Sequence, residues 1–362
     1  MAEVLHLTGP ILLSADEVRS QAWVLAGRVT YEEPTGARDI RTIQGWVLPG
    51  LVDAHSHIGL GTQGAVDEAT SEAQALADRE AGALLLRDCG SPADTRWVQA
   101  RADLPRVVRA GRHIARTRRY LRNYAHEVEP EDLVAQVEVE AGRGDGWVKL
   151  VGDWIDRDRG DLAPSWPREA FAAAIARAHE LGARVTAHCF GEEVLYDLAE
   201  AGIDCVEHAT GLEPETINRF AAQGIAIVPT LVNIETFPAI ASAAREKFPT
   251  YHDHMLDLHA RRFETIAAAY AAGVRIYLGT DAGGTIPHGL VALEAANLVR
   301  VGMSTLDVLD ATCWAARTWL GYDGLTEGAE ADLVVYPEDP RTHVGVLAHP
   351  DVVILRGVVV RS

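Results

Sequence analysis

The feature that most constrains this chain is a repeated unit in which a helix-patterned stretch ends at glycine and runs at once into a short apolar segment. The instances read DREAGALLLRD, AHELGARVTAH, DLAEAGIDCVEH, RFAAQGIAIVPT and AYAAGVRIYLGTD. Before Gly182, the residues Phe171, Ala174, Ile175 and Ala178 recur at i, i+3, i+4 and i+7; before Gly273, Phe263, Ile266, Ala267 and Tyr270 do the same. That is the apolar stripe of an amphipathic helix. Glycine closes such a helix because it accepts left-handed backbone without a Cβ clash. The short, continuous apolar runs after it read as parallel strands buried on both faces. Gly45–His57, Arg106–Ile114 and Trp147–Trp154 are further candidate strands and bring the number to eight. Alternating helix and strand implies a parallel sheet, so the prediction is an α/β protein built on a (β/α)8 TIM barrel.

Such a barrel takes about 250 residues, and the 362 residues present leave room for a small second unit. Both ends carry short β-like pieces, VLHLTG and AWVLAGRVTYEE near the start and GAEADLVVYPED and DVVILRGVVVRS near the finish. Apolar strands need partners, so residues 1–44 and 328–362 are expected to form one composite β-domain beside a barrel of residues 45–327. The stretch 232–260 exceeds a simple loop. It carries Pro238, Pro249 and a predicted helix near His252–Ala260, and reads equally as a pocket wall or a surface excursion.

Counting from each glycine gives a regularity. Asp88, His188, His208 and Thr230 each lie six residues after Gly82, Gly182, Gly202 and Gly224, and Asp281 lies eight after Gly273. Strand side chains alternate with period two, so even offsets predict a shared facing at the C-terminal strand ends. In a parallel barrel that end holds the active site.

A formal net charge of −19 argues against nucleic-acid binding and against anionic membrane surfaces. The expected partner is a small-molecule substrate, and a homo-oligomer is compatible with the sequence. Cys89, Cys189, Cys205 and Cys313 show no CxxC pairing and read as buried free thiols of a reducing compartment. With no signal-peptide pattern at the start and no long apolar run, the expected location is the cytoplasm.

His55 and His57 in GLVDAHSHIG project to one side of a strand, as a two-handed grip on one metal ion requires. A second HxH, His252 and His254, falls in a predicted helix, where positions i and i+2 diverge by about 200°; it reads as surface histidine. His188, His208 and Asp281 converge on the same rim as His55 and His57, a nitrogen and oxygen donor set suited to zinc or a similar metal. Lys149, in WVKLV, puts an amine in the middle of a buried strand. An uncompensated charge there is costly. It is relieved by a neutral amine, by pairing with Asp153, or by reaction with CO2 to give an anionic carbamate with two oxygens.

The motifs PGLVDAHSH, WVKLV, VTAHCFG, CVEHATGL and LGTDAGGTIPHG, in this order and across essentially the whole chain, resemble the amidohydrolase superfamily. The nearest likeness is to its prolidase-like, imidazolonepropionase-related branch with a carboxylated lysine. The resemblance implies two divalent metal ions, taken as zinc. His55, His57 and Asp281 would bind one, His188 and His208 the other, and carboxylated Lys149 with a hydroxide would bridge them. It further implies cleavage of an amide C–N bond in a small peptide-like or N-acyl amino acid substrate, with Asp281 as general base and then acid. A cyclic amide hydrolase or a deaminase is the alternative on the same scaffold; deaminases usually lack the bridging lysine. A degenerate, non-enzymatic barrel is disfavoured because all six ligand positions are kept.

Candidate substrate contacts are His288 in TIPHG, Arg118 and Tyr120 in the arginine-rich stretch that also holds Arg116, Arg119 and Arg122, and Asp153 and Trp154 after Lys149. An arginine fork there would suit a substrate carboxylate. The absence of glycine-rich sequence in both segments departs from the branch and weighs against a simple Xaa-Pro dipeptidase.

Overall fold

Left-handed glycines end the repeated helices and start the strands. In the computed structural model, which describes residues 3–36 and 39–362, Arg168–Glu180 is helical and buries Phe171, Ala174, Ile175 and Ala178. Gly182, at φ +77°, then turns the chain into a strand. Gly202 and Gly224 close Glu193–Ala201 and Pro214–Gln223 in the same conformation.

The barrel strands are β1 (Leu51–Gly61), β2 (Ala83–Asp88), β3 (Arg106–Arg109), β4 (Trp147–Val151), β5 (Arg184–Cys189), β6 (Cys205–His208), β7 (Ala226–Val228) and β8 (Arg275–Ile276). β1, β2 and β3 pair in parallel, as do β4 through β8. After β3 the chain continues as Ile114–Arg116, and Ile114 pairs with Leu150 of β4. Beyond β8, Leu278 C=O accepts from Ala54 N–H of β1 at 2.8 Å. The last strand thus returns to the first, giving a TIM-barrel-like α/β fold.

An eight-stranded sheet is drawn from both ends of the chain: Leu333–Tyr336 pairs antiparallel with Trp46–Pro49, and Val4–Leu12 lies between Trp46–Pro49 and Val18–Leu25. Residues 1, 2, 37 and 38 of the expected terminal unit lie outside the described residues.

Four expectations need correction. The predicted strand Arg106–Ile114 ends at Arg109, and the chain is extended again only over Ile114–Arg116. The predicted strand Gly45–His57 is two strands, one in each sheet system, divided at Gly50. There is no room for a side chain at that point, since an added Cβ would meet Leu84 Cβ at 2.6 Å. The predicted strand Trp147–Trp154 stops at Val151, and Asp153–Asp156 leaves the barrel to form a hairpin with Asp161–Pro164. The even count from glycine holds on β5, β7 and β8 but has the wrong phase on β2 and β6. There, Leu85 and Cys205 join the barrel's inner cluster, while Leu84, Leu86 and Val206 pack against the helices. Asp88 therefore points outward.

The stretch 232–260 is helical. Leu231–Ile234 and Phe237–Ala244 lead into one 23-residue helix, Pro249–Ala271, which merges the two helices expected on either side of residue 260. Ile234, Phe237, Tyr251, Met255 and Leu258 pack on Leu162 and Phe190, which anchors this segment above the C-terminal strand ends. All four cysteines are buried and unpaired. Among the described residues no helix is long and apolar enough to cross a membrane.

Candidate active site

The C-terminal strand ends bring together all six residues singled out as metal ligands. His55 Nε2 and His57 Nε2, from β1, lie 3.2 Å apart. Both approach a single oxygen of Asp281, Oδ1, at 3.1 and 3.0 Å. Across the same space His208 Nε2 stands 2.9 Å from His188 Nδ1, and His208 Nδ1 is 4.0 Å from Asp281 Oδ2. One ligand atom each from His55, His208 and Asp281 fit within 4.8 Å of one another. Lys149, on β4, is buried, and its Nζ has no hydrogen-bond partner; His188 Nε2 is likewise buried and unpartnered. The alternative in which Lys149 pairs with Asp153 is not realised. The Asp153 carboxylate accepts instead from the N–H groups of Phe190 and Gly191, at 3.0 and 2.6 Å.

Hydrogen bonds on the far ring nitrogens orient the histidines. His57 Nδ1–H donates to Gly90 C=O at 2.7 Å, which leaves Nε2 as the lone-pair nitrogen. His55 Nδ1 lies 2.7 Å from Glu207 Oε2; burial works against charge on this ring, but Glu207 and then Asp281 raise its pKa above the usual 6.5. His208 Nδ1 is 2.7 Å from Thr230 Oγ1. Burial pushes His57 and His188 down and His208 to about 3. These rings are neutral at pH 7, the form that binds metal. Burial works against charge on Asp281 as well, but the His55 charge beside it holds its carboxyl well below the usual carboxylate range.

Four rim residues adopt left-handed backbone: His208 (φ +66°), Ala209 (φ +54°), Thr230 (φ +47°) and Asp281 (φ +60°). For a β-branched residue such as Thr230 this is an outlier, and each costs on the order of 1–3 kcal/mol. Surrounding bonds hold them, among them Asp281 N–H to His55 C=O at 2.7 Å and Ala209 N–H to Cys189 C=O at 3.1 Å. The twist is what lets His208, out of phase on β6, reach the mouth.

The sequence reading missed several groups. Glu207 and Arg87 form a fully buried ion pair, 2.6 Å, beneath the histidines, and Thr186 also bonds Glu207. Burial opposes the Glu207 charge, but Arg87 and then His55 hold its carboxyl well below the usual range. Asp53 accepts from His55 N–H and Thr280 N–H, at 3.1 and 3.0 Å, and from the Thr280 hydroxyl. Asn233 Nδ2–H donates to Asp281 Oδ2 at 2.7 Å. His113 stacks on His57 with ring centres 4.9 Å apart. A lone charge inside an apolar run (ALLLRD, CVEH, GLVDAH) was the available signal for Arg87, Glu207 and Asp53.

A cavity of about 130 Å³ opens beside these residues, lined by His57, His113, His188 and Asp281 and by Tyr120, Trp154, Asn233 and Ile240 among others. Of the candidate substrate contacts, Tyr120 and Trp154 reach it. Arg118 does not: it lines a separate cleft with Arg116, Arg119 and Asp156. Arg119 is a brace, bonded to Asp156 and to the carbonyls of Trp154 and Ala163. His288 turns to Asp78 at 2.8 Å, and Asp153 holds the loop after β5. His254 is more than surface histidine: it bridges Asp161 and Glu192 at 2.9 and 3.0 Å. A larger cavity, about 560 Å³, lies on the barrel flank and contains none of the six ligand candidates. Its arginines are largely paired, Arg96 with Asp94 and Arg109 with Asp145.

The chain is similar to several known proteins. An uncharacterized protein of Mycobacterium tuberculosis is 55% identical over 354 residues, which covers 98% of this chain and 95% of that protein. The crystal structure of a Xaa-Pro dipeptidase with bound methionine superposes with a TM-score of 0.85 at 22% identity, covering 99% of this chain and 100% of the other. The Aspergillus niger ochratoxinase structure superposes with a TM-score of 0.81 at 20% identity, covering 99% and 96%; at this identity both likenesses speak to the fold. In sequence, ochratoxinase is 28% identical over 233 residues, 62% of this chain and 47% of that protein. The model of the Amidohydrolase family matches residues 46–360. The chain therefore belongs to the Amidohydrolase family and is a hydrolase acting on carbon–nitrogen bonds.

Proposed function

We propose that this chain is a binuclear metal-dependent hydrolase that cleaves an amide C–N bond of a small substrate. In this reading His55, His57 and Asp281 hold one ion and His188 and His208 the other, with Lys149, as its carbamate, between them. The observation that carries it is the convergence of two histidine nitrogens on one Asp281 oxygen, within 3.2 Å of one another, opposite a second histidine pair. Five imidazole and carboxylate side chains so close together form a ligand set for a cation, and its nitrogen and oxygen donors suit zinc. The unpartnered Lys149 Nζ supports the bridge. A neutral amine there adds to CO2, releases one proton and becomes an anionic two-oxygen ligand, which removes the cost of an isolated buried ammonium.

Bound divalent metal supplies Lewis acidity at the scissile carbonyl and a water of lowered pKa. The chain's residues do the rest. Asp281 Oδ2, oriented by Asn233, accepts the proton of the attacking water and delivers it to the leaving nitrogen. Gly90 C=O and Glu207 keep His57 and His55 from turning over. The same reading divides the chain into the terminal β-unit and the barrel, with the border moved from residue 44 to Gly50, because Trp46–Pro49 pairs with Leu333–Tyr336.

Metal analysis of purified protein tests this. About two ions per chain and a carboxylated Lys149 by mass are the expected result. About one ion with an unmodified lysine points to a mononuclear amidohydrolase such as a deaminase, and no metal uptake overturns the reading.

A further inference from the structure

The cavity beside the ligand cluster is built for an uncharged ring. One part of its lining is aromatic, Tyr120, Tyr124, Trp154 and Phe190 with Ile240 and Ile286, and the rest includes His57, His113, His188, Asn233 and Asp281. The rings support one another, Tyr120 against Trp154 at 4.8 Å between centres and Trp154 against Phe190 at 6.3 Å. Arg119 fixes Trp154 from behind through its carbonyl, 3.2 Å away. At about 130 Å³ the space approaches the ~150 Å³ apolar cavity known to take up benzene. Among the described residues that line it none is lysine or arginine, and the single acid is Asp281. Arg118, the residue that would have gripped a carboxylate, opens on a different cleft. A carboxylate against the Trp154–Phe190–Ile240 face would lose its hydration without gaining a fork of donors.

We infer that the substrate presents to this cavity a neutral aromatic group next to the scissile amide, and that a free carboxylate at that position is rejected. This rests on the amide-hydrolase reading above and departs from its N-acyl amino acid form. Tyr120 and Trp154 are specificity-determining residues in this scheme: they touch the ring, not the reacting carbonyl.

The test is a matched set on the metal-loaded protein: N-acetyl-L-phenylalaninamide, N-acetyl-L-phenylalanine, N-acetyl-L-alaninamide and N-acetyl-L-alanine. Hydrolysis of the acetyl amide is followed, and binding is measured separately by calorimetry. The neutral phenylalaninamide is expected to lead, by about tenfold or more in kcat/KM over either the alanine or the carboxylate counterpart. Trp154→Ala should erase the ring preference, chiefly through KM, while Trp154→Phe retains it; the second variant separates lost recognition from lost folding. Equal rates for phenylalanine and alanine compounds, or a preference for the carboxylate, overturn the inference. If nothing is hydrolysed, calorimetry decides: selective binding of the neutral aromatic amide upholds the cavity assignment while the amide-hydrolase reading falls, and absence of such binding overturns the assignment.

Discussion

Asp281 works at two places at once, its Oδ1 shared by His55 and His57 and its Oδ2 tied to Asn233. Replacing it with asparagine keeps the shape and one neutral oxygen donor but removes the proton acceptor. Asp281→Asn is expected to cut kcat by about 10²–10⁴-fold while metal content stays close to wild type; retained turnover would remove the proton-transfer role. Glu207 acts one step further back, between the Arg87 guanidinium and His55 Nδ1. Glu207→Gln leaves a buried arginine charge uncompensated, with an expected loss of about 3 kcal/mol of stability. It also loosens the hold on His55 Nδ1, so metal affinity in chelator competition should fall about 10–100-fold. An unchanged affinity would reduce Glu207 to a packing residue.

At the scale of elements, the helix Pro249–Ala271 is fastened to the Asp161–Pro164 hairpin and to the helix after β5 by His254, which sits between Asp161 and Glu192 while Arg261 also reaches Glu192. The Glu192 hydrogen bond is the largest influence on its pKa, ahead of an opposing burial, and raises it from 6.5 to about 9. Because the folded-state value is the higher one, the clamp contributes fully below about pH 6.5 and is lost as pH rises through about 9. Denaturant midpoints of wild type and His254→Ala should therefore differ at pH 6, by about 1–2 kcal/mol after allowance for solvent screening, and converge by pH 10. A difference that does not shrink with pH would show that the imidazole acts by packing. His254 also shows where the sequence stops being legible. The helical spacing excluded the YHDH pair as a metal grip, but the partner carboxylates lie 93 and 62 residues away, and nothing local announces them. The same holds in the pocket: Tyr120, Trp154 and Phe190 follow three different strand segments and meet only when those loops fold. What could be read was periodic or terminal: the helix stripes, the glycine stops, and His188 and Asp281 at strand ends. His208 was found for a partly mistaken reason, since its strand has the opposite phase and a left-handed φ redirects it.

Over the whole molecule, function and stability occupy opposite ends of the parallel strands. The ligand cluster lies at the C-terminal ends, and the terminal sheet joins the barrel near the N-terminal ends through Asp332. Its buried carboxylate accepts from Arg106 Nε at 2.5 Å and Arg356 N–H at 2.8 Å, with Arg317 at 3.9 Å, and its own C=O accepts from Gly50 N–H. Arg317 in turn donates to Gly50 C=O at 3.1 Å. This knot ties the start of β1, the start of β3 and the last hairpin of the chain together, so the composite sheet braces the barrel from below. Removing the carboxylate leaves buried Arg317 without its acid and Arg106 with Glu330 alone. Asp332→Ala is expected to cost about 3–5 kcal/mol, the range for breaking a buried ion pair, and to lower Tm by several degrees. Metal content and kcat/KM of the surviving folded protein should stay within about twofold, since the strands between knot and mouth transmit no change of charge to the ligands. Thermal denaturation alongside metal analysis of the same preparation checks both halves. Loss of metal in a variant that still unfolds cooperatively would mean that the terminal sheet sets the site geometry as well as the stability.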